Sequence, residues 1–127
     1  MIIRSFDDVK AAGGFAEKTG AWSSARYLLK ADGVGFTLTT TTVSSGQCLE
    51  LEYKNHVEAN LIIEGRAKLT DIDAGVSYEI GSGDMYALDQ HDRHRLEALS
   101  DLKIVCVFSP ALIGDETHDS SGSYPAS

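Results

Sequence analysis

Glu58 stands in the run EANLIIEG, among residues that mostly bury well. A carboxylate there needs a partner, because an unpaired buried charge is costly, and the partner is either a metal ion or a basic side chain. His56 shares its strand parity, so both side chains emerge on one face; His56 is either a second member of a site or a surface histidine at a strand start. Tyr86 has the parity of Leu88 and on residue type alone is a core tyrosine. His91 and His94 lie in QHDRHRL, where flanking charges indicate a turn; His94 opens the next run and His91 belongs to solvent. Trp22 and Arg26, four apart, fall on one side of a helix or a strand, an ordinary anchor with Trp buried and Arg in water on residue type alone. Cys106 and Phe108 share a face of KIVCVFS, and no cationic neighbour activates the thiol. Glu116 and His118 sit in GDETHDSSGSYPAS, which composition alone describes as a frayed tail.

These residues have to be positioned by a chain of 127 residues, enough for one compact core and too short for two ordinary domains. Ser5 followed by Phe-Asp-Asp-Val marks an N-cap with acids in the first turn, predicting a short helix over residues 5–12 that Gly13-Gly14 ends. From about Arg26 the pattern becomes nine short runs rich in β-branched and aromatic residues: RYLLK, VGFTLTTTTV, CLELEYK, EANLIIEG, RAKLTDI, VSYEI, DMYALD, HRLEAL and LKIVCVFSP. Leu49, Leu51 and Tyr53 alternate with Glu50, Glu52 and Lys54, as a half-buried strand requires. Turn pairs such as Asp32-Gly33, Glu64-Gly65 and Ala74-Gly75 separate the runs. Such a chain is all-β, a sandwich, jelly roll or barrel.

A net charge of −8 makes nucleic acid and anionic membranes poor partners. No apolar run approaches the roughly 20 residues of a membrane span, and acids interrupt the start of the chain, so a cytoplasmic setting is expected. Cys48 and Cys106, both in strand-like runs, are expected as buried free thiols. Open sheet edges in a small β protein tend to be covered, which predicts a homodimer.

Two spacings narrow the reading. Glu58 precedes Gly65 as E-x6-G, and Gly75-x5-Gly81-x-Gly83-x2-Tyr86-x3-Gln90 follows. These resemble the two signature motifs of the cupin superfamily, G-x5-H-x-H-x3,4-E-x6-G and G-x5-P-x-G-x2-H-x3-N, a jelly-roll barrel. The H-x-H pair is absent here, and Tyr86 stands where the second motif has histidine. The runs GAWSSARYLLKADGVGF (20–36), YKNHVEANLIIEG (53–65), MYALDQHDRH (85–94) and VCVFSPALIGDETHDSSGSYP (105–125) together resemble the ectoine synthase family over nearly the whole chain. Departures include Ser109-Pro110-Ala111, where that family commonly shows Asn-Pro-Pro, and Thr39-Thr40, where it often has more strongly hydrogen-bonding residues.

The resemblance implies a single cupin domain over residues 1–127, with residues 113–127 as a lid over the barrel mouth. It implies a hydro-lyase that closes N4-acetyl-L-2,4-diaminobutyrate to ectoine, a compatible solute. It maps the metal ligands onto Glu58, Tyr86 and His94, with Fe(2+) the expected ion; an O/O/N donor set without thiolate suits such a cation. Trp22, Arg26, Thr41, Tyr53, His56, Cys106, Phe108, Glu116 and His118 become substrate contacts, Arg26 through the α-carboxylate. Tyr53, Glu116 and His118 are the candidates for the proton acceptor. A lid predicts that truncation after Ala111 abolishes cyclisation while the β core still folds. The same barrel would also serve a non-catalytic binder of a small polar metabolite, or another metal-dependent cupin enzyme.

Overall fold

The structure, a computed structural model, describes residues 1–126. A helix α1 (Phe6–Ala11) opens the chain, capped as expected: the Ser5 side chain accepts from the Asp8 N–H, and the Asp8 carboxylate accepts from the Ser5 N–H. Ten strands follow: β1 (Phe15–Lys18), β2 (Trp22–Leu28), β3 (Thr37–Val43), β4 (Cys48–Leu51), β5 (Val57–Glu64), β6 (Arg66–Asp71), β7 (Val76–Gly81), β8 (Met85–Leu88), β9 (His94–Ala98) and β10 (Leu102–Ser109). The nine expected runs all become strands, and the additional one is β1. Its sequence FAEK carries no β-branched residue and forms by antiparallel pairing with β2.

Two antiparallel sheets result, ordered β1-β2-β3-β10-β5-β8 and β4-β9-β6-β7. Their inner faces meet over Val43, Ile62, Leu96, Leu102, Ile104, Phe108 and Leu112, the jelly-roll barrel that the motifs imply. On β5 the alternation puts Glu58, Asn60 and Ile62 inside; on β10 it does the same for Ile104, Cys106 and Phe108. Gly65, which ends the E-x6-G spacing, has φ +93°, and a Cβ there would lie 2.1 Å from the Asp101 carbonyl oxygen. Only glycine lets the chain turn from β5 into β6 at that point.

Two expectations are corrected here. Cys48 is exposed rather than buried, because its position on edge strand β4 takes the outward parity. The segment after Pro110 is not a frayed tail: Leu112, Glu116, Ser123 and Tyr124 are all buried. Its hydrogen bonds go back to the barrel, from Leu112 N to Thr37 Oγ1 (2.8 Å), Lys54 N to Ser123 Oγ (2.9 Å) and Asn55 Nδ2 to the Tyr124 carbonyl (2.8 Å). Ser127, the last residue of the expected lid, lies outside the described residues.

Candidate active site

The barrel encloses a cavity of about 340 Å³. Ten of the expected site residues line it: Trp22 and Arg26 from β2, Thr41 from β3, Tyr53 after β4, Glu58 from β5, Tyr86 from β8, Cys106 and Phe108 from β10, and Glu116 and His118 from the lid.

Glu58 is 6% exposed, and its carboxylate accepts one hydrogen bond, from Asn60 Nδ2 at 3.0 Å. Burial pushes its pKa up to about 7, with the Asn60 bond working in the opposite direction. No basic side chain pairs with it among the described residues. Burial, and then the Glu58 charge, raise the Tyr53 and Tyr86 phenols well above their ordinary range. Burial also pushes the Cys106 thiol up to about 12, so it stays a thiol, its Sγ 3.6 Å from Thr41 Oγ1.

His94 is buried and does not line the cavity. It forms the floor of a separate crevice of about 500 Å³ between β7 and β8, which shares the Tyr86 wall with the cavity. Its ring centroid lies 6.4 Å from that of Tyr86 and 6.3 Å from that of Tyr53. His94 Nδ1 sits 3.0 Å from the Asp92 carbonyl, which can only accept, so Nδ1 carries the hydrogen and Nε2 keeps its lone pair. Burial lowers the His94 pKa, favouring the neutral ring. His56 does not line the cavity either: it packs behind it, edge-on to Phe108 (6.2 Å) and Tyr124 (6.3 Å). His91 is exposed as expected, with Nδ1 2.8 Å from the Tyr53 carbonyl.

The C-terminal segment expected as a lid packs against the cavity through side chains. Tyr53 Oη lies 2.8 Å from His118 Nε2, and the His118 ring stacks on Tyr124 at 4.4 Å and 12°. Arg26 donates to the Glu116 carbonyl (2.9 Å) and to its carboxylate Oε1 (3.4 Å), and lies over the Tyr124 ring. Expected to hold a substrate carboxylate, Arg26 here ties down the lid with part of its guanidinium fork. Glu116 also accepts from the backbone N–H groups of Ile113 (2.6 Å) and Gly114 (2.7 Å). Burial alone would raise the Glu116 pKa, but these bonds and the Arg26 charge outweigh it and lower it. A carboxylate so engaged is a latch and a poor proton acceptor.

Sequence reasoning did not single out Asn60, Thr39 or Tyr124, which also line the cavity. Parity with Glu58 and with Thr41 was the available signal for the first two. Tyr124 is the one Phe, Tyr or Trp after Pro110.

The family model for ectoine synthase matches residues 1–127. The chain belongs to the ectoine synthase family. An L-ectoine synthase of Desulfatibacillum aliphaticivorans is 44% identical over 126 residues, covering 98% of this chain and 97% of that protein. One of Sphingopyxis alaskensis is 42% identical, covering 99% and 91%. The crystal structure of an ectoine synthase from P. lautus superposes with a TM-score of 0.82 at 40% identity, covering 90% of this chain and 81% of that one. An RmlC-like cupin from Shewanella frigidimarina, 16% identical, has a TM-score of 0.62 over 76% of this chain and 83% of its own, which shows the cupin fold alone. As a member of this family the chain is an enzyme, a hydro-lyase.

By donor type the expected ligands suit a cation, with His94 opening on the neighbouring crevice and not on the cavity itself. Glu58 is a buried carboxylate without an ion-pair partner among the described residues, and Tyr86 and His94 offer a phenol and an imidazole lone pair from β8 and β9. Among the described residues no three His, Cys, Asp or Glu side chains cluster as a metal site.

Proposed function

We propose that the chain catalyses the dehydrating cyclisation of N4-acetyl-L-2,4-diaminobutyrate to ectoine, with Glu58, Tyr86 and His94 holding a divalent ion, ferrous iron. The observation that carries the reading is the barrel cavity in which a buried carboxylate and a phenol–imidazole pair share one small space. What the ion supplies when bound is Lewis-acid polarisation of the amide carbonyl.

The chain's own residues do the rest. Trp22, Phe108 and Tyr124 line the cavity, and a substrate held curled against them brings its α-amine against its amide carbon. Well-oriented intramolecular attack of this kind reaches effective molarities of about 10⁵ M or more. Before attack the α-ammonium has to lose a proton. Burial keeps Tyr53 protonated and lowers the His118 pKa, so the phenol donates to a neutral His118 Nε2. Tyr53 Oη then accepts the substrate proton as its own passes to His118, which stands exposed at the rim. The amine nitrogen bonds to the amide carbon, the carbonyl oxygen leaves as water, and the lid keeps bulk water from reversing the step.

The test is anaerobic, iron-loaded protein with N4-acetyl-2,4-diaminobutyrate, ectoine being followed by chromatography beside Glu58→Ala. Product from wild type alone supports the reading; equal product from both removes the ion from it, and none from either favours a binding protein.

The assembly we propose is a homodimer through sheet edges. Strand β8 pairs on one side only, with β5, and Met85 on it is 62% exposed. We place the enzyme in the cytoplasm, in keeping with its two free thiols; no helix among the described residues is long and apolar enough to cross a membrane.

A further inference from the structure

Asn60 is a buried polar side chain that neither the fold nor the proposed mechanism requires. It is 2% exposed, lines the cavity, and lies on the inner face of β5 two residues beyond Glu58. Across the sheet it pairs directly with Tyr86 on β8 and with Cys106 on β10, so it occupies the strand position between the proposed phenol ligand and the cavity thiol. Its inward neighbour Ile62 shows that the same face of β5 accepts an aliphatic side chain. A strand interior is a poor place for asparagine, which is depleted from strands and costs free energy to bury.

Its one side-chain hydrogen bond goes to Glu58 Oε1 at 3.0 Å. An ionised carboxylate only accepts, so the amide nitrogen has to face it and the amide oxygen has to face away. Among the described residues it is the single hydrogen bond that the Glu58 side chain receives. A carboxylate on a two-carbon stem, with no second hydrogen bond among the described residues to fix it, can rotate about its last torsion, whose wells are broad. Fixing that torsion is the role that outer hydrogen bonds play at metal sites, where losing one typically costs 10–100-fold in metal affinity.

We propose that Asn60 is a positioning residue that holds the Glu58 carboxylate in one orientation for ion binding. The proposal rests on Glu58 being a ligand, and the experiment separates failure of one from failure of the other. Co(II) and Fe(II) affinities are measured anaerobically by chelator competition for wild type, Asn60→Leu, Asn60→Val and Glu58→Gln, with the visible spectrum of the Co(II) forms and kcat and KM alongside. Leucine matches the amide in shape without a donor; valine, a good strand former, gives a folded comparison if leucine overfills the cavity.

Asn60→Leu or Asn60→Val is expected to keep the wild-type circular dichroism, lose about 10–100-fold in affinity, shift the Co(II) spectrum, and lower kcat at saturating metal more than it raises KM. Wild-type affinity and spectrum in a folded Asn60 variant overturn the proposal, as does a rise in KM alone, which would make Asn60 a substrate contact. Wild-type ion binding by Glu58→Gln overturns the ligand reading beneath it.

Discussion

Tyr53 concentrates the most chemistry into one side chain. Its ring packs against Phe108, Tyr124 and His118, while its hydroxyl reaches His118. Tyr53→Phe keeps the packing and deletes the relay, so kcat should fall by about 10²–10⁴ while thermal unfolding stays near wild type. Because the relay is one unit, Tyr53→Phe/His118→Ala should be no slower than the worse single variant; multiplicative losses in steady-state kinetics would separate the two residues. Glu58 gives a prediction about pH. Its folded pKa, about 7, is raised above the ordinary 4.5, so the folded state holds its proton more tightly than the unfolded chain does. Metal-stripped protein should therefore have this stabilisation in full below pH 4.5 and lose it as pH rises through 7, by up to about 3 kcal/mol in denaturant titrations. Added Fe(2+) should restore it, since a ligand bound only by the folded state stabilises that state. A flat metal-free profile would show that Glu58 is solvated. Glu58 was legible because a carboxylate in an apolar strand contradicts its surroundings. His56 was not, since strand parity gives the face of a residue but not which neighbours wall it off from the cavity.

The lid shows why composition misleads at the scale of an element. Strands were readable from alternation because each buries an apolar face, whereas residues 113–126 hold themselves down with polar atoms. Asp119 accepts from Ser121 N, Ser121 Oγ and Ser123 N, folding the segment on itself. Gly122, at φ +76°, lies where a Cβ would come within 2.8 Å of the Glu50 carbonyl oxygen. These contacts are polar, so hydropathy carries no trace of them. The structure also moves the truncation experiment. Leu112 is fully buried and bonded to Thr37, so a cut after Ala111 damages the core, and one after Ile113 removes the lid alone. The shorter chain should unfold as cooperatively as wild type and make no ectoine; wild-type turnover would dismiss the lid. The Glu116 latch adds an acid limit. Its pKa is lowered, so its contribution is present above 4.5 and lost as pH falls through the folded value. Hydrogen exchange at Ile113 and Gly114 should accelerate on acidification in wild type and already be fast at neutral pH in Glu116→Ala.

The residues lining the cavity all come from one chain, and the outer edges of β1, β8, β4 and β7 are unpaired among the described residues. A site lined by one chain predicts catalysis by a single copy, while the edges invite a second, and the two properties can be tested separately. Beside β8 the crevice carries exposed Met85 and Tyr78 together with Asp84 and Asp89, so a partner there gains apolar contact against like charge. Two chains of net charge −8 repel at low salt, and the repulsion fades once the Debye length shrinks to about 8 Å near 0.15 M. Light scattering on a sizing column should report twice the chain mass at 0.15 M salt and a shift toward one chain at about 0.01 M, where screening reaches only about 30 Å. Met85→Lys puts a cation on the open edge, a device natural sheets use against edge pairing, and should give the single-chain mass at both ionic strengths. Because Met85 does not line the cavity, that monomer should still form ectoine. A two-chain mass for Met85→Lys would move the seam to another edge, and a monomer without turnover would mean that the second copy holds the site in shape.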